Sequence, residues 1–305
     1  MASTRTSRAT AERVRLDGLA VIDKPAGWTS HDVVAKARGV LGTRKIGHAG
    51  TLDPDATGVL LLGVGRVTRL LRFLTALPKR YEGEIVLGTE TSTLDAAGVV
   101  TATHDMAGVT LAEVRAAAVR FVGAIEQIPP MVSAVKVGGR RLHELARAGE
   151  EVDRAPRPVT VHRFEVDDPV ADVGPGVFGV LVECSSGTYV RTLAADVGRA
   201  LGGGAHLRAL RRTAIGSFTL AEAHPVEAAA VLTPAEALRD YPGVVVADEV
   251  AAAVGYGKVL PGEVLGAAGE GPWPVLDAAG DLLAVYQAHR DGTFKPAVVI
   301  RPAGG

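Results

Sequence analysis

Short blocks of apolar residues, some alternating with polar ones and some continuous, recur along the chain between glycine- and proline-rich breaks. Residues 18–23 (GLAVID) predict a strand, and Thr29 or Ser30 can cap a helix running to about Leu41, with Gly42 as its stop. The continuous run VLLLGV from Val59 predicts a buried strand, residues 66–76 an amphipathic helix and residues 81–88 (YEGEIVLG) another strand. Farther on, the pattern predicts a helix over 110–122, a strand over 132–137 ending at Gly138-Gly139, and a basic helix over 140–149 stopped by Gly149. Strands over 158–166 and 177–184 follow, then a segment 187–202 that turns from strand into helix, and a strand over 211–220.

Strands and helices interleave without regular βαβ spacing, which predicts an α+β fold built on a mixed or antiparallel sheet flanked by helices. From about Ala221, alanine-rich helical segments are broken by Pro225, Pro234 and Pro242. Beyond Pro242 the pieces VVVA, WPVLD, LLAVYQ and AVVIR alternate with Gly/Pro turns and predict a small β-rich appendage. The expected layout is a flexible basic arm over 1–16, a main domain over 17–220, a helical linker region over 221–243 and a β-rich C-terminal domain over 244–305.

Composition narrows the class. With 305 residues, 47% of them hydrophobic, the chain can build a sizeable core. The apolar runs fall well short of the ~20 residues a membrane span needs, so no transmembrane helix is expected. The first sixteen residues lack the apolar stretch of a secretory signal, and the single cysteine, Cys184, suits a reducing cytoplasm. The net charge of −1 conceals an asymmetry: residues 1–220 carry 28 Lys and Arg against 23 Asp and Glu, whereas residues 221–305 carry 5 against 11. A mildly basic body can still hold a polyanion through a local patch.

No cofactor or metal site is expected. The eight histidines are scattered, no CxxC occurs, and HELAR at 143–147 has Arg147 where a zinc HExxH needs its second His. GVGRVT at 63–68 lacks the third glycine of the dinucleotide fingerprint. What remains is the loop GHAGTLDPDATGVL (47–60), in which Asp53 stands in front of a proline. Pro54 has no N–H and biases Asp53 toward extended geometry, so the segment can present an acid but cannot continue a helix. A loop carboxylate is also a common turn residue, and Asp53 alone decides nothing.

Its company decides more. DKPAGWTSHDVV (23–34), GHAGTLDPDATG (47–58), KRYEG (79–83), IPPMVSAVK (128–136), GRRLHELARAGEEV (139–152) and CSSGTYVRTLAADVG (184–198) occur in that order. Together, from about Leu16 to Leu220, they resemble the bacterial tRNA pseudouridine-55 synthase (TruB) family, enzymes that isomerise a uridine in the T loop of tRNA. The resemblance makes 17–220 a catalytic domain of pseudouridine-synthase-like fold and 244–305 a PUA-like domain. The −6 balance of residues 221–305 is unexpected for a phosphate binder and leaves Lys258, Lys295 and Arg301 as the candidate contacts of the C-terminal region.

The resemblance implies a catalytic role for Asp53. Such a carboxylate can attack C1′ as a nucleophile or take a proton from C2′ on the way to a glycal, and the sequence leaves both routes open. A base pocket that excludes water raises the carboxylate pKa, and Arg191, in the matching GTYVRT motif, is the counter-charge that favours the anion. Tyr81 of KRYEG offers a face for uracil and a phenol near C5; as a lone strand aromatic it would be core packing. Tyr189 and Leu210 match positions that line the uracil pocket. His48 is either a wedge that fills the place of the extruded base or a loop histidine satisfied by a carbonyl. Lys24 of the DKP motif either meets substrate or flanks a structural turn. Arg140, Arg141, Arg147, Arg154 and Arg157 are the candidate phosphate contacts. At Val132 the chain has an aliphatic residue where many relatives carry Tyr.

The partner implied is the tRNA elbow, bound by a cytoplasmic monomer with no obligate protein partner. Three rivals have different signatures. A glycosidase or nucleosidase would need a second carboxylate in comparable context, and Asp55, two residues away, is a poor partner. A non-catalytic RNA chaperone would not need Asp53, Tyr81 and Arg191. The RNA-guided branch of the superfamily would need partner proteins.

Overall fold

The computed structural model describes residues 16–133, 136–137, 140–141, 150, 152–169, 174 and 176–302. Strand β1 (Gly18–Lys24) leads into helix α1 (Ser30–Val40), then β2 (Ile46–Ala49) and β3 (Thr57–Val64). Thr29 closes a capping box on α1: its hydroxyl accepts the Asp32 amide at 3.1 Å, and Asp32 accepts the Thr29 amide at 2.8 Å. Gly42, at φ +63°, takes the chain out of that helix as the sequence predicts.

The stretch 66–76 is not one α-helix. Residues Gly65–Leu70 form a 3-10 helix and only Leu71–Ala76, α2, is α-helical. The backbone is tightened at its start, where Asp17 accepts the Arg66 amide and Gly65 accepts the Thr68 hydroxyl. Strand β4 (Lys79–Leu87) follows, then the hairpin β5 (Thr89–Thr91) and β6 (Val100–Thr103), helix α3 (Leu111–Val119) and β7 (Gly123–Gln127). Of the strand expected over 132–137, Lys136–Val137 form β8, paired with β9 (Arg140–Arg141), and residues 134–135 lie outside the described residues. Met131–Ser133 bend instead, and the Val132 carbonyl, which a strand would use in its ladder, accepts the Arg191 guanidinium at 2.6 Å. Arg140 and Arg141 therefore open as strand rather than helix; the rest of the expected basic helix, 142–149, lies outside the described residues.

Strands β10 (Arg157–Pro169) and β11 (Val177–Cys184) are followed by α4 (Val190–Ala200), β12 (Ala205–Ile215) and β13 (Phe218–Thr219). The segment before α4 is a turn rather than a strand, with Gly187 at φ +88°. The last long strand starts six residues earlier than its apolar pattern suggests, because Arg208 interrupts the alternation ahead of Arg211. A nine-stranded sheet results, in the order β1-β3-β12-β4-β11-β10-β7, with β2 beside β3 and β13 beside β12. All pairs are antiparallel except β12 with β3, joined at Arg211 opposite Thr57 and Arg212 opposite Gly58. Helices α3 and α4 cover one face over a core that includes Tyr81, Ile85, Val182 and Leu193. Helix α1 packs at the other end on Ile22, Leu60 and Leu62.

Between 221 and 243 the prolines confine the alanine-rich sequence to 3-10 turns at Leu220–Glu222, Val226–Ala228 and Glu236–Leu238, where helical segments are expected. This stretch runs along β1, with Leu19 and Leu232 exchanging amide bonds at 3.0 and 2.8 Å. Beyond it β14 (Val244–Val245), α5 (Asp248–Gly255), β15 (Leu260–Pro261), α6 (Gly262–Leu265), β16 (Trp273–Leu276), β17 (Leu282–Ala288) and β18 (Thr293–Val299) build the five-stranded β-rich unit, ordered β14-β16-β17-β18-β15. Leu282, Val285, Val298 and Ile300 pack with Val67, Leu70, Phe73 and Leu74 of the main domain. Above that apolar contact Arg66, Arg69 and Arg72 donate to the carbonyls of Ile300, Val299 and Ala297 at 3.0, 2.6 and 3.1 Å. Among the described residues no helix is long and apolar enough to cross a membrane.

Candidate active site

The Asp53 loop joins β2 to β3, and several of its residues are tied to different parts of the fold. Ser30 Oγ at the start of α1 accepts the Leu52 amide at 2.9 Å, and the Leu52 side chain is buried. The Pro54 carbonyl accepts the Gly27 amide at 3.0 Å and the Lys24 ammonium at 2.8 Å. On either side of Asp53, Arg212 donates to the carbonyls of Gly50 at 3.1 Å and Val59 at 2.7 Å. Arg212 can lie that close because Gly58 faces its backbone: at φ +102°, a Cβ there would stand 2.2 Å from the Arg212 carbonyl oxygen. The loop is thus held from β1, α1 and β12, and Asp53 is aimed by contacts its own sequence does not contain.

Asp53 faces Arg191 from the first turn of α4, with Arg191 Nη2 3.4 Å from Oδ2 and 3.5 Å from Oδ1. Arg191 is itself nearly buried and fixed by the Val132 carbonyl and by Asp95, whose Oδ2 lies 3.1 Å from Nη1. One guanidinium therefore serves two carboxylates. Protein surrounds Asp53 on most sides, yet its side chain is 45% exposed at the pocket mouth, wetter than a closed base pocket would make it. Burial raises its pKa above the ordinary carboxylate value, Arg191 opposes that, and the Asp95 anion adds to the rise.

Asp53 and Arg191 open onto a cavity of about 250 Å³ that Tyr81, Tyr189, Leu210, Lys79 and Arg212 also line. That is room for about eight waters at ~30 Å³ each, comparable with the eight heavy atoms of a pyrimidine such as uracil. Tyr81 comes from β4 and is buried; burial raises its phenol pKa, with Arg212 beside it acting the other way. Tyr189 is held through its backbone, its amide donating to Gln127 Oε1 at 2.9 Å. The structure thus brings Asp53, Tyr81, Tyr189, Arg191 and Leu210 to one cavity.

The other candidates fall elsewhere. Lys24 is fully buried and donates to the carbonyls of Pro25, Trp28 and Pro54 at 2.9, 2.7 and 2.8 Å, so its ammonium holds the Asp53 loop and has no donor left for a substrate. Burial lowers its pKa to about 8. His48 lies on β2 rather than in a loop, with its ring centroid 5.3 Å from that of His31 in an edge-to-face arrangement and its buried Nδ1 without a partner among the described residues. Burial first, then the charges of His31 and Arg212, lower its pKa to about 4, so the imidazole is neutral. Arg140 pairs with Glu150 at 3.0 Å, Arg154 donates to the Pro129 carbonyl at 3.0 Å, and Arg157 is exposed. Arg141 is placed only as backbone, and Arg147 lies outside the described residues. Arg301 is occupied by Asp277 and Asp281, both at 3.1 Å.

The sequence missed Asp95, Lys79 and Arg212. Asp95 sits in the turn of the β5–β6 hairpin, in no motif, and only the pairing of that hairpin with Leu207 carries it to Arg191. Lys79 had a usable signal, since alternation along β4 puts it on the face of Tyr81. Val132 needs no aromatic ring for its part here, because the contact with Arg191 is made by its carbonyl.

Fold and site together define a pseudouridine synthase. The structure superposes on a chain of the Cbf5-Nop10-Gar1 complex with a TM-score of 0.72 and 26% identity, covering 93% of this chain and 85% of that one. Residues 38–190 match the TruB family pseudouridylate synthase (N terminal domain) and residues 191–241 the tRNA pseudouridylate synthase B C-terminal domain; the chain belongs to the TruB family. It is 44% identical over 300 residues to the tRNA pseudouridine synthase B of Arthrobacter sp. (strain FB24), covering 94% of this chain and 98% of that protein. With the protein of the same name from Rhodococcus jostii (strain RHA1) the identity is 49% over 296 residues, 94% of each chain.

Proposed function

We propose that this protein converts the T-loop uridine of tRNA, position 55, to pseudouridine in the cytoplasm, with Asp53 as the catalytic carboxylate. The observation that carries the reading is Asp53 at the mouth of a pyrimidine-sized cavity, 3.4 Å from a guanidinium that keeps it anionic against desolvation. The reaction breaks C1′–N1, turns the uracil and joins C1′ to C5. A cavity closed around the base on one side and open to the ribose at Asp53 suits a base that must not escape. Asp53 acts on the sugar, either at C1′ as a nucleophile or at C2′ as a base. Tyr81 offers its ring to the base, and a phenol with a raised pKa starts the cycle protonated. The target must leave the loop stack, which costs a few kcal/mol of unstacking. Lys24 acts here as a positioning residue.

The test is pseudouridine mapping in a bare tRNA transcript after incubation with the purified chain and with Asp53→Asn. Wild type is expected to modify the T-loop uridine without added proteins, and Asp53→Asn to bind tRNA but leave uridine intact. Free uracil in the wild-type reaction would mean hydrolysis, and equal product from Asp53→Asn would remove the carboxylate from the mechanism.

A further inference from the structure

Two cations lie in the wall of the base cavity without a carboxylate partner. Lys79 is 4% exposed and Arg212 1% exposed, and among the described residues neither forms an ion pair. Their donors go to main-chain carbonyls: Lys79 Nζ to Thr75 and, at 2.6 Å, to Leu77; Arg212 to Gly50, Val59 and, at 3.5 Å, Thr51. Carbonyl dipoles satisfy the N–H groups but leave both charges unneutralised. The two are close together, since a Cβ on Gly50 would lie 3.6 Å from Arg212 Nη1 and 3.8 Å from Lys79 Cε.

Their placement follows from the sheet. Lys79 and Tyr81 are two apart on β4 and share a face, while Arg212 on β12 stands opposite Tyr81. Burying two like charges side by side opposes folding, and burial followed by the Arg212 charge lowers the Lys79 pKa to about 8. An apolar pair would pack here at less expense, so the positive floor calls for a chemical reason.

Breaking C1′–N1 supplies one. Whether Asp53 attacks C1′ or removes the C2′ proton, the bonding pair leaves with N1, and the detached base is a uracil anion with its charge spread over N1, O2 and O4. C5 of that anion then forms the bond to C1′, displacing the Asp53 carboxylate from its C1′ ester in the first route or adding to the C1′=C2′ double bond in the second, where Asp53 returns the proton to C2′; the C5 proton is lost, N1 gains one, and no atoms are added overall. We propose that Lys79 and Arg212 form a cationic floor that stabilises the uracil anion between bond cleavage and bond formation and keeps it in the cavity. A fixed charge in a site walled from water acts on charge that develops only in the reaction, so it lowers the barrier without tightening ground-state binding. The inference rests on the uridine isomerisation proposed above.

The test compares Lys79→Met and Lys79→Arg with wild type on tRNA carrying uridine or 5-fluorouridine at the target position. Fluorine withdraws electrons from the ring, so 5-fluorouracil leaves more readily as an anion. The single-turnover rate of loss of the N-glycoside is read by nuclease digestion and mass spectrometry. On uridine, Lys79→Met is expected to be slower by about 10- to 100-fold with tRNA affinity unchanged, and Lys79→Arg to recover most of the loss. On 5-fluorouridine the Lys79→Met deficit shrinks at least about fivefold, a dependence on the leaving group that a merely structural defect does not produce. If Lys79→Met does not accumulate as folded protein, Lys79→Gln, which can still donate to the Leu77 carbonyl, is read the same way. Equal deficits on the two substrates, or no deficit, overturn the inference. Absence of pseudouridine from the wild-type reaction overturns instead the function on which it rests.

Discussion

Replacing Arg191 with methionine removes a buried charge 3.4 Å from Asp53 while keeping an apolar stem of similar reach. Two unit charges about 4 Å apart attract by ~1 kcal/mol in bulk water and by ~4 kcal/mol at an effective dielectric of ~20. The Asp53 side chain is 45% exposed, which puts the pair toward the lower end, and ~1–2 kcal/mol corresponds to about one pH unit or slightly more. Removing Arg191 also uncovers the Asp95 anion, which already pushes the Asp53 pKa upward, so both changes act in one direction. The acid limb of kcat/KM is therefore expected to move up by about 1–2 pH units, with a larger deficit at pH 6 than at pH 9. Loss of the Asp95 and Val132 contacts is expected to destabilise the fold by ~2–3 kcal/mol, read as a lower urea midpoint. Arg191→Lys keeps the charge and should hold the limb near its wild-type position while kcat falls. A folded, tRNA-binding Arg191→Met variant whose activity drops by the same factor from pH 6 to pH 9 would refute the electrostatic reasoning.

Other expectations follow from neighbouring contacts. His48 has a pKa of about 4 in the fold against an ordinary 6.5, so between those values the unfolded chain takes up a proton that the folded one refuses. Stability should fall as the pH drops through that window, by up to ~3 kcal/mol and less to the extent that solvent reaches the ring; urea midpoints at pH 7 and 4.5 should diverge less in His48→Gln. Gly58→Ala places a Cβ 2.2 Å from the Arg212 carbonyl at φ +102°, and a loss of ~3 kcal/mol or more is expected by thermal unfolding, together with lost activity as Asp53 shifts. Arg69→Ala combined with Arg72→Ala removes two donors to the Val299 and Ala297 carbonyls, at ~1 kcal/mol each. Hydrogen exchange around 297–300 should quicken in that variant while exchange in the main sheet does not.

By itself the sequence determined which segments are strands and which are helices wherever one local signal dominated: the aliphatic run of β3, the capped start of α1, the alternation of β11. It also determined the family and, through the motif blocks, the meeting of Asp53, Tyr81 and Arg191. Local signal failed where tertiary partners took the main-chain groups. The Val132 carbonyl went to Arg191 instead of a strand ladder, and the alanine-rich linker was drawn along β1 in 3-10 turns. Asp95 and Arg212 could not be read as site residues because their partners lie 96 and 162 positions away for Arg191 and Gly50. Lys24 differed in kind: its motif was visible, but only the fold showed that its three donors are spent on carbonyls. Residue types and spacing report what a segment can do alone, whereas charge placement in a site depends on which distant segments the sheet sets side by side.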